Sequence, residues 1–446
     1  MKSLQDHAKI LLVAPTALDS KGKPIKMRRL YLPALTLPYL AALVPADTSV
    51  RLIYDTVEDI PFSDHWDLVG VTGMGSGLVR GWQIADEFRR RGTPVVIGGI
   101  AASLGKPDWT LNHADSLLIG EADVTWPELI TDALSGQLKT IYREPSTKPW
   151  PSMPVPRYDL MNRSRIGRWL PVQATRGCPH SCRFCSVTSF HRGRYHCRPV
   201  NEVIRDVRAA KRSGSRFIAF IDDNLAGDLE YASDLFEALI SEKIIWMSQC
   251  TLLLAESEEL LKLAYRSGCR LVSVGIESTN ADSLSTINKL WNRPNRYSEA
   301  ITAFRRNGIE VSTEMIVGFD DDDVDVFERT IGFILQNRIA VPRVHILTPV
   351  PGTELYDELE ASGRLVDHDF ANYTGSKVVF RPKKIDPETL RVRYWNMYER
   401  LFSWRNLFRR LVPGHTWLGP YMRAVILATN LRYRSHIKTR ISPGIL

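Results

Sequence analysis

Short apolar runs bounded by polar turns recur over the first 140 residues: KILLVAP at 9–15, VRLIYD at 50–55, DLVGVTGM at 67–74, PVVIGG at 94–99 and SLLIGE at 116–121. Stretches with helical spacing lie between them. Apolar runs without strict alternation suit strands buried on both faces, so residues 1–142 are expected to form a doubly wound, Rossmann-like α/β domain with a parallel sheet. Residues 143–168 open on REPSTKPWPSMPVPR, whose five prolines mark a linker. A second alternating series fills 169–380, with strands expected in WLPVQATR, FIAFIDD, IIWMSQCTLLL, RLVSVGIE, GIEVSTEMIVGF and RVHILTP. Six strand-and-helix units in this span predict a partial (β/α)6 barrel, whose ligands would lie at the carboxyl ends of its strands.

From residue 381 the pattern becomes helical and basic. Leu390, Tyr394, Met397, Leu401, Trp404 and Phe408 fall at helical spacing in a single expected helix, with Arg393, Arg400, Arg405 and Arg409 among them. Such a helix docks on the barrel with solvated arginines, or it rests with residues 420–440 on an anionic membrane and admits an apolar substrate.

The net charge of +8 is uneven: residues 381–446 hold fourteen Lys and Arg against three Asp and Glu, which leaves −3 for the rest of the chain. A general nucleic-acid binder is therefore not expected. No stretch reaches the roughly 18 apolar residues of a spanning helix, because 31–45 is interrupted by Pro33, Pro38 and Pro45. The N-terminus lacks the features of a secretory signal, so a cytoplasmic location is expected, with peripheral contact at the inner membrane face if the tail binds lipid. In that reducing compartment clustered cysteines bind metal or do chemistry.

Three of the six cysteines do cluster, as Cys178, Cys182 and Cys185 in TRGCPHSCRFCSV. Cys197, Cys250 and Cys269 are scattered and read as small buried hydrophobes. Tetrahedral zinc wants a fourth ligand at matching spacing, which is missing. Three thiolates on a cubane iron–sulfur cluster leave one iron open to bind a small molecule. In the first domain the candidate ligand edge is the set of strand-end positions Thr72, Gly73, Gly98, Gly99 and Gly120, although glycines there also serve ordinary strand-to-helix turns.

Cys-x3-Cys-x2-Cys with Phe184 before the last cysteine resembles the signature of radical S-adenosylmethionine enzymes. FIDDNLAGD (220–228), GCRLVSVGIES (268–278), NKLWNRP (288–294), VGFDDDD (317–323), HILTPVPGTEL (345–355) and SGRLVDHDFANY (362–373) resemble, in order, the subfamily with an N-terminal cobalamin-binding domain, near the hopanoid C-2 methylases. The resemblance implies that Cys178, Cys182 and Cys185 hold a 4Fe–4S cluster whose open iron chelates S-adenosylmethionine. Electron transfer from the cluster, fed by a donor such as flavodoxin or ferredoxin, would give a 5′-deoxyadenosyl radical. It implies cofactor contacts from Phe184, from Asp222, Asp223 and Asn224, from Glu277 and Ser278, and from Gly318. Strand-end capping of the following helices is the plainer use of the acidic positions.

Cobalamin would dock over Thr72, Gly73, Gly98, Gly99 and Gly120 without a protein histidine, because Asp55 is followed by Thr56 and Val57 rather than by the Asp-x-His-x-x-Gly loop. The implied reaction is C-methylation of an unactivated carbon in a lipid, isoprenoid or natural-product substrate. A cobalamin-using cyclase or ring-rearranging enzyme of tetrapyrrole or antibiotic synthesis is the alternative. A transfer-RNA methylthiotransferase is excluded because residues 1–177 contain no cysteine for a second cluster. A redox sensor or RNA-binding regulator would have no use for the strand-end motifs.

Overall fold

The computed structural model describes residues 7–145, 152–412 and 418–443. The chain divides into two compact units, residues 1–172 with 201–216 and residues 173–200 with 217–445.

The first unit is built on six parallel strands: β1 (Lys9–Ala14), β2 (Ser49–Tyr54), β3 (Leu68–Thr72), β4 (Val95–Gly98), β5 (Ser116–Ile119) and β6 (Ile141–Arg143). They lie in the order β2-β1-β3-β4-β5-β6. The five expected strands are all present, and short β6 is an addition at the edge. Leu11, Val13, Val69, Val71, Val95 and Ile97 are buried against Ile84, Ala85 and Phe88 of the helix Gly77–Arg90. That burial on the sheet face is why the strands read as unbroken apolar runs. The strand order reverses between β1 and β3, and in such sheets the ligand crevice opens at the carboxyl ends flanking that point.

The segment read as a linker is more ordered than its prolines suggested, although residues 146–151 of it lie outside the described residues. Met153, Tyr158, Met161 and Ile166 are buried, and Tyr158 donates its hydroxyl to the Pro171 carbonyl at 2.7 Å. The strand β7 (Trp169–Val172) follows. The helix Val200–Arg212, expected with the barrel, groups with the first unit. Glu202 accepts from Ser152 Oγ at 2.6 Å and Met153 N at 3.3 Å, and Arg205 donates to the Met153 carbonyl.

The second unit opens with a short antiparallel pair, β8 (Thr175–Gly177) and β9 (Tyr195–Cys197). Parallel strands β10 (Phe217–Phe220), β11 (Ile245–Cys250), β12 (Cys269–Glu277), β13 (Glu310–Val317) and β14 (Val341–Ile346) follow in that spatial order. Helices connect each strand to the next, so with β7 as the first strand in chain order the six repeats of a partial (β/α)6 barrel are complete.

The C-terminal region is three helices, Pro387–Leu401, Trp404–Leu411 and Pro420–Lys438. The single long helix expected from residue 386 breaks at Ser403, whose side chain caps the second helix through the Asn406 N–H. Leu390, Tyr394, Met397 and Leu401 are buried as expected, whereas Trp404 and Phe408 are 63% and 64% exposed. Tyr394 and Tyr398 donate to the Val344 carbonyl of β14 at 3.0 and 2.7 Å. Arg410 is fully buried and donates to the Ile339 and Ala340 carbonyls.

Gly99 has φ 98° and ψ 176°, a conformation left to glycine, and a Cβ there would sit 2.7 Å from the Gly73 carbonyl oxygen. Gly136, at φ 75°, has open space around it. Gly99→Ala is expected to destabilise the protein by about 3 kcal/mol, against about 1 kcal/mol for Gly136→Ala, as read by chemical denaturation. Equal losses would show that the packing between the two strand ends contributes nothing.

Candidate active site

The three clustered cysteines lie on one loop that begins where β8 ends. Gly177 takes φ 78°, and a Cβ at this position would fall 2.1 Å from the carbonyl oxygen of Arg194, just before the paired strand, so the chain can enter the loop only through glycine. Three outside contacts then shape the loop. Arg183 donates to Glu354 at 2.7 Å, to Glu358 at 2.8 Å and to the Thr286 carbonyl at 3.1 Å. Asn288 Nδ2 donates to Ser181 at both its carbonyl and its hydroxyl oxygen. The His180 ring stacks on Trp291 with centroids 3.9 Å apart.

Each thiol has a polar or charged neighbour. Cys178 Sγ receives Asn224 Nδ2 at 3.9 Å and a backbone N–H from His180. Cys185 stands at the N-cap position of the helix Ser186–His191, where burial raises its thiol and the N–H groups of Thr188 and Val187 pull the other way. Cys182 is buried, and burial pushes its thiol up to about 12 while the Lys289 ammonium pulls the other way. A thiolate in such surroundings needs a cationic centre bound to it. Among the described residues no three His, Cys, Asp or Glu side chains form a ready cage for a single ion. Cluster ligands bind separate irons and need no common point, so three sulfurs on a fixed loop fit a 4Fe–4S cluster.

The strand ends around the loop carry the other expected residues. Asp222 has a structural role of its own at the end of β10. Its carboxylate is wholly buried, and one oxygen accepts from Ala174 N at 3.0 Å, from Thr175 Oγ1 at 2.7 Å and from Thr175 N, so it staples the entry to the loop. Asp223 accepts the Gly177 N–H, and burial pushes its carboxyl up to about 6. Asn224 Oδ1 is buried with no partner.

Glu277 ends β12 in a left-handed conformation, φ 59°, and its Oε1 accepts from Lys289 Nζ at 2.6 Å. Burial works against the Lys289 ammonium, but Glu277 and the thiols of Cys182 and Cys185 outweigh it and hold its pKa above the ordinary value. Ser278 Oγ accepts the Asn280 N–H and shapes the same turn. Gly318, at φ 98°, donates its N–H to Asp322 at 2.9 Å and passes under Leu390. Phe184 is half-buried within the loop itself.

Thr72, Gly73, Gly98, Gly99 and Gly120 come together on the carboxyl edge of the first unit's sheet. Thr72 is in register with Gly98, Gly73 N donates to the Gly98 carbonyl at 2.6 Å, and Gly120 N donates to Ser103 Oγ at 3.1 Å. Their small size serves this close backbone packing directly. Cys250 and Cys269 are buried as expected, but Cys197 is exposed on β9, where the short hairpin has no core to face.

Sequence reasoning missed two groups. Lys289 carried no signal beyond its place in NKLWNRP. A polar set in the second unit joins Ser273, Glu314, Arg343 and His345 on adjacent strands: Arg343 pairs with Glu314 and donates to Ser273 Oγ at 2.7 Å, and His345 Nε2 lies 3.3 Å from Glu314. Alternation on β12, β13 and β14 puts all four on one side of the sheet, which a strand-by-strand reading does not reveal.

A strand-end loop of three thiols on a partial parallel barrel is the site of a radical S-adenosylmethionine enzyme, and residues 172–334 match the model of the radical SAM superfamily. Residues 353–422 match a domain of unknown function, DUF4070. The chain is 30% identical over 353 residues to bacteriochlorophyllide d C-12(1)-methyltransferase of Chlorobaculum tepidum, covering 78% of this chain and 77% of that protein. It is 27% identical to the hopanoid C-2 methylase of Rhodopseudomonas palustris, over 76% of this chain and 66% of that one. The solved structure of TsrM, a radical S-adenosylmethionine methyltransferase from Kitasatospora setae, superimposes with a TM-score of 0.65 at 16% identity over 98% of both chains. The chain belongs to the family of bacteriochlorophyllide d C-12(1)-methyltransferase, within the radical S-adenosylmethionine superfamily.

Cys182→Ala is expected to lower bound iron and sulfide after anaerobic reconstitution to background while far-ultraviolet circular dichroism is unchanged; full cluster content would contradict the ligand set. Lys289→Met leaves Glu277 buried without its cation and is expected to cost about 3 kcal/mol in chemical denaturation. Adding Glu277→Gln should restore most of that loss. No recovery in the double variant would show that the pair is not coupled.

Proposed function

We propose that this chain transfers a methyl group to an unactivated carbon of a large, mostly apolar small molecule, and that a tetrapyrrole of the bacteriochlorophyllide kind is the first substrate to test. The observation that carries the reading is the fixed three-thiol loop ringed by strand ends, together with the likeness to a bacteriochlorophyllide methyltransferase over most of both chains. Cys178, Cys182 and Cys185 would hold the cluster. Phe184, Asp222, Asp223, Glu277, Ser278 and Gly318 would line the S-adenosylmethionine site, and Thr72, Gly73, Gly98, Gly99 and Gly120 the cobalamin edge. When bound, the cluster and S-adenosylmethionine supply hydrogen-atom abstraction and cobalamin supplies the methyl group.

The chain's own residues do the positioning. Asp222 fixes where the loop begins, and Lys289 balances buried negative charge beside Cys182 and Glu277. Asn224 Oδ1, an acceptor without a donor beside Cys178, suits an incoming ammonium such as that of S-adenosylmethionine.

A low-potential one-electron carrier such as flavodoxin or ferredoxin would reduce the cluster in the cytoplasm. Among the described residues no helix is long and apolar enough to cross a membrane. Trp404, Phe408 and Val412 are 63%, 64% and 59% exposed at helical spacing, flanked by Arg405 and Arg409. That combination supports peripheral contact with an anionic bilayer, which would bring an apolar substrate to the enzyme.

With reconstituted enzyme, bacteriochlorophyllide d and methyl-labelled S-adenosylmethionine, the expected product gains one labelled methyl group. An unlabelled product that has been oxidised or ring-closed would favour the cyclase reading instead. The wild-type chain is expected to sediment with phosphatidylglycerol vesicles and to lose at least tenfold in partitioning on Trp404→Ala with Phe408→Ala. Equal sedimentation would remove the membrane role.

A further inference from the structure

The first unit raises a question about the lower side of the bound corrin, and the answer proposed here rests on the cobalamin reading above. Imidazole is not available at the ligand edge. The histidines of the first unit are His7, His65 and His113, and each stands just before a strand, β1, β3 and β5 respectively. In a parallel sheet that places all three at the amino edge, opposite the glycine-rich carboxyl edge. His65 lies 3.5 Å from Asp67, and His113 is held 2.8 Å from Asp86 and stacked on Trp82.

Asp55, which follows β2 at the carboxyl edge, is also committed. It is wholly buried, receives Lys26 Nζ and Arg80 Nε at 3.0 Å each, and accepts the Thr16 N–H at 3.3 Å.

What the carboxyl edge does present at the point of strand reversal is Met74. It lies two residues after β3, between Gly73 and Gly75, and is 79% exposed. Its neighbours on the same edge turn inward: Thr16 after β1 and Ser76 in the same loop are both buried. Gly75 has φ 50° and nothing within 4 Å of where a Cβ would stand, so the space beside Met74 is clear. A large apolar side chain on a glycine-flanked turn is costly to leave in water and suits contact with a broad apolar ligand face. Its thioether is also a soft, weak donor suited to a transition metal.

We propose that Met74 lies beneath the corrin and faces the lower axial side of the cobalt, in the position that an imidazole takes in histidine-bearing cobalamin proteins. Met74 is then a positioning residue: it covers that face and keeps both water and the cofactor's own tethered base away from the metal.

The test is spectroscopic and needs no substrate. Full-length protein is loaded with cobalamin, reduced to the cob(II)alamin state, and examined by electron paramagnetic resonance as the wild type, as Met74→Ala and as Met74→His made with nitrogen-15 histidine. Wild type is expected to show no nitrogen coupling. Met74→His should show the doublet of one nitrogen-15 ligand, and Met74→Ala should retain the corrin with an altered axial signal. A Met74→His signal identical to wild type, with the corrin bound, overturns the assignment, as does nitrogen coupling from the tethered base in wild type. Wild-type protein that retains no corrin on gel filtration overturns the cobalamin reading itself, which separates the two failures.

Discussion

Everything at this site depends on a loop of backbone held in place before any cofactor arrives. Three cysteines in eight residues cannot set their own geometry, because thiols close together in a half-buried loop repel as thiolates and resist ionisation as thiols. The protein resolves this with contacts that the loop itself does not supply. Gly177 lets the chain pass the Arg194 carbonyl, Asp222 fixes the strand before it, and Arg183 and Asn288 tie its middle to segments over a hundred residues away in sequence. The loop is therefore a product of the barrel.

The same economy runs through the strand ends. Strand-end carboxylates hold the backbone and each other's surroundings: Asp222 and Asp322 accept backbone N–H groups, Glu277 accepts from Lys289, and Asp223 accepts the Gly177 N–H. A buried ion pair at a strained strand end is expensive to maintain, and its persistence at Glu277 marks a place where geometry has been chosen over stability.

Much of this was legible in the sequence, for local reasons. Strands buried on both faces announce themselves as apolar runs, and a ligand set carried on one loop is visible as spacing. The linker, the tail and the ion pair were less so. Prolines suggested a free connection where Tyr158 and Met153 are in fact packed. Helical periodicity carried Trp404 and Phe408 onto a buried face, because it cannot see that Ser403 restarts the helix at a new angle. Cys197 looked like a core residue because its type usually is one. Lys289 and the Ser273, Glu314, Arg343 and His345 set depend on which strands become neighbours, and no single stretch of sequence contains that information.

The central claim is that three thiolates hold the cluster and leave one iron for S-adenosylmethionine. Electron paramagnetic resonance of the reduced cluster, recorded before and after adding S-adenosylmethionine labelled with nitrogen-15 in its amino group, tests it directly. A changed signal that carries coupling to the labelled nitrogen is the predicted result; a spectrum unaltered by the cofactor would contradict the account.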